Sequence, residues 1–481
     1  MLGVLLLLTP VVYFIPQDGI DLGWTKVNFL SQEDYFNPKE QENTDITDII
    51  SDVDTTMVAV DIDSLIQHQN NTTGTNGAPK GGEVSEDSST ELQFAENGKD
   101  NLFRFFRILQ GVSSKKEKVS ILHYGDSQIE GDRMTSYIRQ KIQLQFGGKG
   151  PGLVPATNVY NTFTFKQTFS ENFERFTAFG GGKLSDSKYG AMASASRFTP
   201  EYTLDSLFTL DSLVEQVGWI EIGPSKFAYA RARDYNIVKM HYNNCHTPTT
   251  VKVYQNGAII HEEEMVQDGE QHTLKLSFPF SPGALKYEFT GKISPNICAF
   301  SLEGDYGVQV SNIAMRGSSG TVFRRINNAT LKSMYTETNT KMVIMQFGGN
   351  SVPFFKDSSG VTNYANWFKS QINTVKRSSP NAAIIVIGPS DMSKLDEGIY
   401  DTYEYLPYCV AEMKRVTLEA GGGFWNLYAG MGGNNSMPSW VEKGLAGKDH
   451  IHFSNQGAKF ASELFYEAFI AEYAKWKKSQ E

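Results

Sequence analysis

Two kinds of apolar sequence pattern alternate along this chain, and their order constrains the fold more than any single motif does. Residues 101–155 carry a helical apolar pattern, a buried strand and a second helix, which together form the strand–turn–helix unit of an α/β sheet. From 156 to 308 short alternating apolar runs replace the helical pattern. Over 309–481 strand-like runs and helical patterns alternate again, as in an α/β sheet. The sequence therefore predicts an α/β domain that is interrupted by a β-domain.

The interrupting region is rich in strand signals. Runs such as NIVKMHY and ALKYEFTG read as strands, and Asn256-Gly257 between two runs indicates a two-residue hairpin turn. We predict an antiparallel β-sandwich over 156–308. Cys245 and Cys298 fall in this region and could form a disulfide, which would leave Cys409 unpaired. Three thiols do not decide the redox compartment.

The N-terminal part of the sequence reads differently. Residues 2–15 form an uncharged apolar run, shorter than the roughly 20 residues of a membrane helix. We predict a signal or membrane-anchor segment over 1–16, with a buried strand or helix as the alternative. Residues 17–100 are mostly polar and predict a largely flexible linker. Export or membrane anchoring is the expectation that follows.

The charge balance restricts the partners. The chain has 481 residues and a net charge of -10. A surface with this sign repels phosphate backbones, so we expect no nucleic-acid partner. The excess of acidic residues is interpreted mainly as a contribution to solubility.

Three short motifs follow strand-like runs, at the edge where parallel sheets bind ligands. In Gly125-Asp126-Ser127 the glycine permits a sharp turn, and Ser127 stands at a helix start as either a nucleophile or a helix cap. The loop RGSSG ends at Gly320, where the backbone can present an N–H to a ligand or form an ordinary turn. In Gly348-Gly349-Asn350 the Asn amide can donate to an oxyanion or stabilise a turn.

A fourth motif lies near the C-terminus. Asp449 and His452 are three residues apart, so the carboxylate can orient the imidazole as a general base. A surface Asp–His pair is the alternative. His450 and His452 could also suggest a metal, but no third ligand has suitable spacing, and we predict no metal site.

These four motifs, in this order, resemble the SGNH/GDSL hydrolase family over roughly 101–155 and 309–475. The resemblance implies that Ser127 is the nucleophile and that Asp449 and His452 complete the triad. It also implies an oxyanion hole formed by Ser127, Gly320 and Asn350, while Asp126 supports the turn.

The stretches GDSQIEGDRMT, FGGKGPGLVP and WNLYAGMGGNNSMPSW are similar to those of bacterial peptidoglycan O-acetylesterases, in which a carbohydrate-binding-like β-domain interrupts the catalytic domain. Gln128 departs from the leucine of lipolytic relatives, which weakens a lipase interpretation. The possible substrate-binding residues are Gln128, Gly349, Met431 and Trp440; aromatic residues such as Trp440 are also common in cores.

The resemblance implies an α/β fold with an SGNH-type (flavodoxin-like) parallel sheet, flanked by helices and interrupted by the β-sandwich. It also implies a serine esterase that removes O-acetyl groups from a cell-envelope polysaccharide such as peptidoglycan, without a cofactor. The location implied is the bacterial cell envelope, periplasmic or membrane-anchored. An O-acetyltransferase with the same triad and a non-catalytic glycan-binding protein are the alternatives.

Overall fold

The computed structural model describes residues 20–21, 26–27, 41–53, 57–65, 91–202 and 209–481. The predicted signal or anchor segment, 1–16, lies outside them. Strands β1 (Ile20–Asp21) and β2 (Lys26–Val27) pair in an antiparallel ribbon. Among the described residues, no helix combines the length and the apolar character needed to cross a membrane.

Part of the predicted linker is packed against the α/β domain. Ile46 precedes helix α1 (Thr47–Asp52) and is only 1% exposed. Ile62 and Leu92 are also buried, and all three side chains belong to the same apolar core. These short stretches of the mostly flexible linker predicted over 17–100 are therefore packed, because their few apolar side chains are enough to dock them.

The first part of the α/β domain has the predicted strand–turn–helix order. Helix α2 (Asp100–Gly111) precedes strand β3 (Lys118–Gly125). A 3-10 turn (Ser127–Asp132) then leads into helix α3 (Thr135–Phe146). The apolar face of α2 buries Phe106 completely. Burial of such a side chain contributes roughly 1.5–3 kcal/mol, which fixes the helix on the sheet.

The chain next forms an antiparallel region. Its elements are β4 (Gly152–Pro155), β5 (Phe165–Phe169), β6 (Glu174–Thr177), β7 (Ser194–Arg197), β8 (Gln216–Pro224), α4 (Ala230–Arg233), β9 (Ile237–Asn243), β10 (Thr249–Gln255), β11 (Ala258–Glu264), β12 (His272–Ser277), β13 (Leu285–Gly291) and β14 (Asn296–Glu303).

These strands form two sheets that share one core. The first has the order β11-β10-β13-β8-β5, and the second has the order β12-β9-β14-β7-β6 with β4 beside β14. The rings of Tyr287 and Phe300, one from each sheet, lie 4.9 Å apart between the sheets. Asn256 and Gly257 have positive φ angles of 51° and 81° and join β10 to β11, as the hairpin signal predicts.

The cysteines do not form the disulfide considered from the sequence. All three are free and buried. The Cys298 thiol accepts a hydrogen bond from the Asn243 amide, whereas the Cys245 thiol faces the Thr247 carbonyl. Burial raises the pKa of the Cys245 thiol.

The α/β domain then resumes with β15, whose first residue lies two positions inside the predicted β-region. The remaining elements are β15 (Gly307–Ala314), α5 (Asn328–Glu337), β16 (Thr340–Gln346), α6 (Ser358–Ser378), β17 (Ala383–Ile387), β18 (Ser393–Asp396), β19 (Ile399–Thr402), α7 (Leu406–Glu419), β20 (Gly423–Trp425), α8 (Leu427–Gly430), α9 (Ser436–Glu442) and α10 (Asn455–Lys478).

Five parallel strands form the central sheet in the order β15-β3-β16-β17-β20. Helices α2, α3 and α10 cover one face, and α5, α6 and α7 cover the other. Neighbouring residues on one strand therefore point into different cores: Ile121 packs in the first and Leu122 in the second. The carboxyl ends of all five strands lie at the same edge of the sheet.

Candidate active site

The turn after β3 presents Ser127 at this edge. Asp126 caps the 3-10 turn, since its carboxylate accepts a hydrogen bond from the Gln128 N–H at 3.0 Å. A Cβ atom at Gly125 would lie 2.9 Å from the Ile129 side chain. Glycine is therefore needed where the chain turns tightly from strand to helix.

Ser127, His452 and Asp449 form a continuous chain of hydrogen bonds. The Ser127 Oγ atom lies 2.8 Å from His452 Nε2, and His452 Nδ1 lies 2.8 Å from Asp449 Oδ2. Because a carboxylate only accepts hydrogen bonds, Nδ1 of the neutral ring carries the proton and Nε2 accepts from the serine hydroxyl. The arrangement is that of a nucleophile, a general base and an orienting acid.

The Asp449 carboxylate is held in its charged form. Burial acts to raise its pKa, but this effect is outweighed by hydrogen bonds from the His452 side chain and from the N–H groups of His452 and Ile451. Its pKa is consequently below the ordinary value. A charged Asp449 can stabilise the imidazolium that forms when His452 takes a proton.

Asp126 has the opposite environment. Burial raises its pKa to about 6, although the Gln128 N–H, the charge of His452 and the Asn350 amide partly oppose this effect. Its carboxylate caps the turn and is not bonded to the His452 ring in the way that Asp449 is. This contact agrees with the supporting role implied for Asp126.

The oxyanion donors need one correction. The Gly320 N–H donates to the Ser318 hydroxyl at 3.1 Å within its own loop, so it is not available to a substrate. Gly317, in the same loop, is exposed and has a positive φ of 75°. Its N–H donates no hydrogen bond within the described part of the chain. Asn350 contacts this loop, because its amide donates to the Ser318 carbonyl at 3.2 Å.

Gln128 also differs from its predicted role as a substrate contact. Its amide nitrogen donates to the Ile451 carbonyl at 2.6 Å and to the Ser390 hydroxyl at 3.2 Å. Its amide oxygen accepts from the Phe453 N–H at 3.3 Å. Both donor hydrogens are therefore used by the protein itself.

Arg133 was not singled out by any motif in the sequence. Its guanidinium donates to the carbonyls of Glu130, Phe453 and Ser127. It therefore joins the turn that carries Ser127 to the loop that carries His452. In the sequence it lies within the stretch GDSQIEGDRMT, six residues after the serine.

Met431 and Trp440 are wrongly predicted as substrate contacts. Both side chains are fully buried in the core of the α/β domain. The Trp440 indole N–H donates to the Met431 carbonyl at 2.9 Å, and its ring packs against Phe453 and Phe460. These residues hold the framework behind the His452 loop.

Gly349 lies in the cleft beside Ser127. The cleft has a volume of about 180 Å³ and is lined by polar groups around the serine and by apolar side chains opposite, including Phe347, Pro353 and Met392. A Cβ atom at Gly349 would have only ordinary contacts, since its nearest neighbour is 3.8 Å away. Gly349 thus leaves space in the cleft.

His450 is not part of the hydrogen-bonded chain of Ser127, His452 and Asp449. Its ring stacks on Tyr400, with a centroid separation of 3.5 Å. Within the described ranges, no cluster of three or more His, Cys, Asp or Glu residues is arranged to hold a metal ion.

No protein-family model matches the sequence, and no curated protein matches it. The structure is similar to a peptidoglycan O-acetylesterase with a TM-score of 0.61 and 20% identity; the match covers 80% of this chain and 99% of that one. A family two carbohydrate esterase from Clostridium thermocellum matches at 11% identity and a TM-score of 0.24, covering 61% of this chain and 96% of that one. The first match, with its TM-score of 0.61, shows that the chain has the fold of a peptidoglycan O-acetylesterase, which confirms the predicted SGNH-type α/β fold with inserted antiparallel sheets.

Proposed function

We propose that this protein is a serine esterase that removes O-acetyl groups from a cell-envelope polysaccharide, with peptidoglycan as the preferred substrate. The hydrogen-bonded chain of Ser127, His452 and Asp449, with two contacts of 2.8 Å, carries this proposal. The fold shared with a peptidoglycan O-acetylesterase supports the choice of substrate. A glycan-binding protein without activity would have no need for this arrangement.

In the first half of the reaction, the Ser127 Oγ atom attacks the acetyl carbonyl carbon. His452 Nε2 takes the hydroxyl proton, and Asp449 stabilises the resulting imidazolium. The tetrahedral intermediate collapses when His452 returns this proton to the sugar oxygen. The sugar hydroxyl leaves, and the acetyl group stays on Ser127.

Three donors support the negative oxygen of the intermediate in this proposal. They are the N–H groups of Ser127 and Gly317 and the side-chain amide of Asn350. The two backbone groups donate no hydrogen bond to any described residue. Asn350 lines the cleft, and its amide would exchange its bond to the Ser318 carbonyl for one to the oxyanion. Gly317 replaces Gly320, whose N–H is bonded to Ser318. Each such donor contributes roughly 3–4 kcal/mol in comparable sites.

In the second half, a water molecule attacks the acetyl-enzyme with His452 as its base, and acetate leaves. The His452 side chain is 37% exposed, so water has direct access to it. This exposure favours hydrolysis over transfer of the acetyl group to a second sugar, which would require exclusion of water.

The size of the cleft supports a small acyl group. Its volume of about 180 Å³ is below the roughly 300–1,000 Å³ of sites for drug-sized ligands. An acetyl group fits this space, whereas a long lipid chain would have to extend out of it.

The test is acetate release by the purified full chain from p-nitrophenyl acetate and from O-acetylated peptidoglycan. Ser127→Ala should lower the rate by about 10⁴-fold or more, because no other group supplies the nucleophile. Ser277→Ala, an exposed serine on β12, should leave the rate unchanged.

Three results would overturn the proposal. They are full activity of Ser127→Ala, no acetate release by the wild-type chain, or transfer of acetyl to an added glycan in place of release. Cleavage of p-nitrophenyl decanoate tests the preference for acyl-group size. Faster cleavage of the decanoate than of the acetate would contradict an acetyl preference.

We also propose an exported location in the bacterial cell envelope, periplasmic or membrane-anchored. The support is the uncharged apolar run over 2–15 in the sequence. Fractionation of cells that express the full chain tests this, and recovery only in the cytoplasm would contradict it.

A further inference from the structure

Gln128 immediately follows Ser127, and its side chain lies against the loop that carries His452. The side chain is buried, with 8% of the residue exposed. Its three hydrogen bonds go to the Ile451 carbonyl, the Phe453 N–H and the Ser390 hydroxyl. Two of these three partners are the backbone groups on either side of His452.

This pattern imitates the pairing of a neighbouring β-strand. A strand partner bonds a carbonyl and an N–H that point to the same side of the chain. The Ile451 carbonyl and the Phe453 N–H are such a pair, and one carboxamide offers the matching donor and acceptor. Gln128 thus binds the His452 loop along one side.

The other side of His452 is held within its own loop. The His452 N–H donates to the Asp449 carboxylate at 3.1 Å, and the His452 carbonyl accepts from the Gly447 N–H at 2.8 Å. These contacts orient the imidazole relative to Asp449. They do not determine how far the ring lies from Ser127.

Side chains from the turn that carries Ser127 bind the loop that carries His452. Gln128 provides two hydrogen bonds to the backbone beside His452, and Arg133 provides one to the Phe453 carbonyl at 2.9 Å. Arg133 also donates to the Ser127 carbonyl. Because Gln128 and Ser127 are adjacent in the chain, the carboxamide couples the position of the base directly to that of the nucleophile.

We infer that Gln128 is a positioning residue that fixes the His452 imidazole at hydrogen-bonding distance from Ser127. This inference rests on the proposed function. Displacement of a catalytic group by about 1 Å can lower a rate by about 10²-fold. Loss of the Gln128 contacts should therefore lower kcat and leave KM nearly unchanged, because substrate binding does not depend on the carboxamide.

The test compares two buried glutamines that hold backbone carbonyls. Gln128→Met keeps the length of the side chain but removes its hydrogen bonds. Gln143 is also buried and donates to the carbonyls of Gly150 and Val308, at the opposite edge of the sheet. Gln143→Met is the control, since it loses comparable bonds away from the triad.

We measure kcat and KM for p-nitrophenyl acetate at a temperature below the unfolding midpoint of each variant. We expect Gln128→Met to lower kcat by about 10- to 100-fold with KM within about twofold. Gln143→Met should keep kcat within about twofold of the wild type. Gln128→Glu, which keeps the acceptor but lacks the donors, should also lower kcat and serves if the methionine variant does not fold.

Wild-type kcat in a folded Gln128→Met or Gln128→Glu variant would overturn the inference. An equal loss of kcat in Gln143→Met would also overturn it, because a general loss of packing would then explain the effect. The proposed function is tested separately by Ser127→Ala. If that variant is inactive while the Gln128 variants keep their kcat, only the positioning role fails.

Discussion

The Ser127 hydroxyl lies 2.8 Å from His452 Nε2, although 325 positions separate the two residues in the sequence. The sheet order explains this contact. Ser127 follows β3, the second of the five parallel strands, and after the antiparallel region the chain rejoins this sheet at β15, directly beside β3. The long intervening chain therefore does not separate the carboxyl edge of β3 from the loop before α10.

Replacement of Asp449 by asparagine should strongly reduce activity. An asparagine can donate its amide hydrogen to His452 Nδ1, which would favour the tautomer that carries its proton on Nε2. Nε2 could then no longer accept the Ser127 proton, and kcat should fall by roughly 10⁴-fold. Steady-state kinetics with p-nitrophenyl acetate measure this, with Asp401→Asn on the nearby β19 as the control. Wild-type kcat in Asp449→Asn would show that the carboxylate has no such role.

Asn350→Ala tests the side-chain oxyanion donor. Loss of one donor costs about 10²- to 10³-fold in kcat at comparable sites, while KM changes little because the developing charge appears only in the transition state. Asn366→Ala, on the exposed side of α6, is the matched control and should keep wild-type kcat. A change confined to KM would instead assign Asn350 to ground-state binding.

Much of the fold follows from the sequence because the decisive signals are local. The helical spacing in α2 and the Asn256-Gly257 turn each need only a few neighbouring residues to be recognised. The packing of Ile46 is different, since its side chain lies close to Gly432, nearly 400 positions later in the sequence. A polar context around one isoleucine gives no local sign that it reaches a distant core.

The site residues divide in the same way. Ser127 and His452 stand out because strand ends and motif spacing select them. Gly317 and Gly320 are both glycines of the same loop, so the sequence does not distinguish them. Only the backbone geometry separates the free N–H of Gly317 from the N–H of Gly320, which is bonded to Ser318. The sequence predicts Trp440 as a possible substrate contact, whereas its complete burial depends on packing against residues such as Phe460, which lie outside the motif.

The raised pKa of Asp126 predicts a pH-dependent difference in stability. An unperturbed aspartate has a pKa of 3.8, whereas the pKa of Asp126 in the folded protein is about 6. The folded state therefore binds the proton more tightly. Its stabilising contribution is complete below about pH 4 and is lost as the pH rises to 6. Asp126→Asn stays neutral and keeps a cap acceptor. It should gain about 2 kcal/mol relative to the wild type between pH 4 and pH 7.

Denaturant unfolding at several pH values measures this difference. Asp357→Asn provides a control of opposite sign. Hydrogen bonds from the Ser359 side chain and the Gly360 N–H lower the pKa of Asp357, so its contribution is lost when the pH falls. A pH-independent difference for Asp126→Asn would contradict the raised pKa.

Met431→Ala should affect stability and leave substrate recognition unchanged. The side chain is fully buried beside Trp440, so its removal should leave a cavity and cost about 2–5 kcal/mol of unfolding free energy. KM for p-nitrophenyl acetate should stay at the wild-type value, because Met431 does not line the cleft. Phe354→Ala provides the contrast, because Phe354 is exposed and lines the cleft. This variant should lose little unfolding free energy. A raised KM in Met431→Ala would restore it as a substrate contact.

Ile46→Ala tests whether the segment before α1 is an integral part of the α/β domain. Ile46 is 1% exposed, and the Thr44 backbone on its N-terminal side is bonded to Asn435 and Ser439. Truncation should cost about 2–5 kcal/mol of unfolding free energy, as for other buried large-to-small changes. Glu42→Ala, on the exposed part of the same segment, should change it by less than about 0.5 kcal/mol. Equal stability of the two variants in denaturant unfolding would mean that this segment adds nothing to the core, because only a docked Ile46 leaves a cavity when it is shortened.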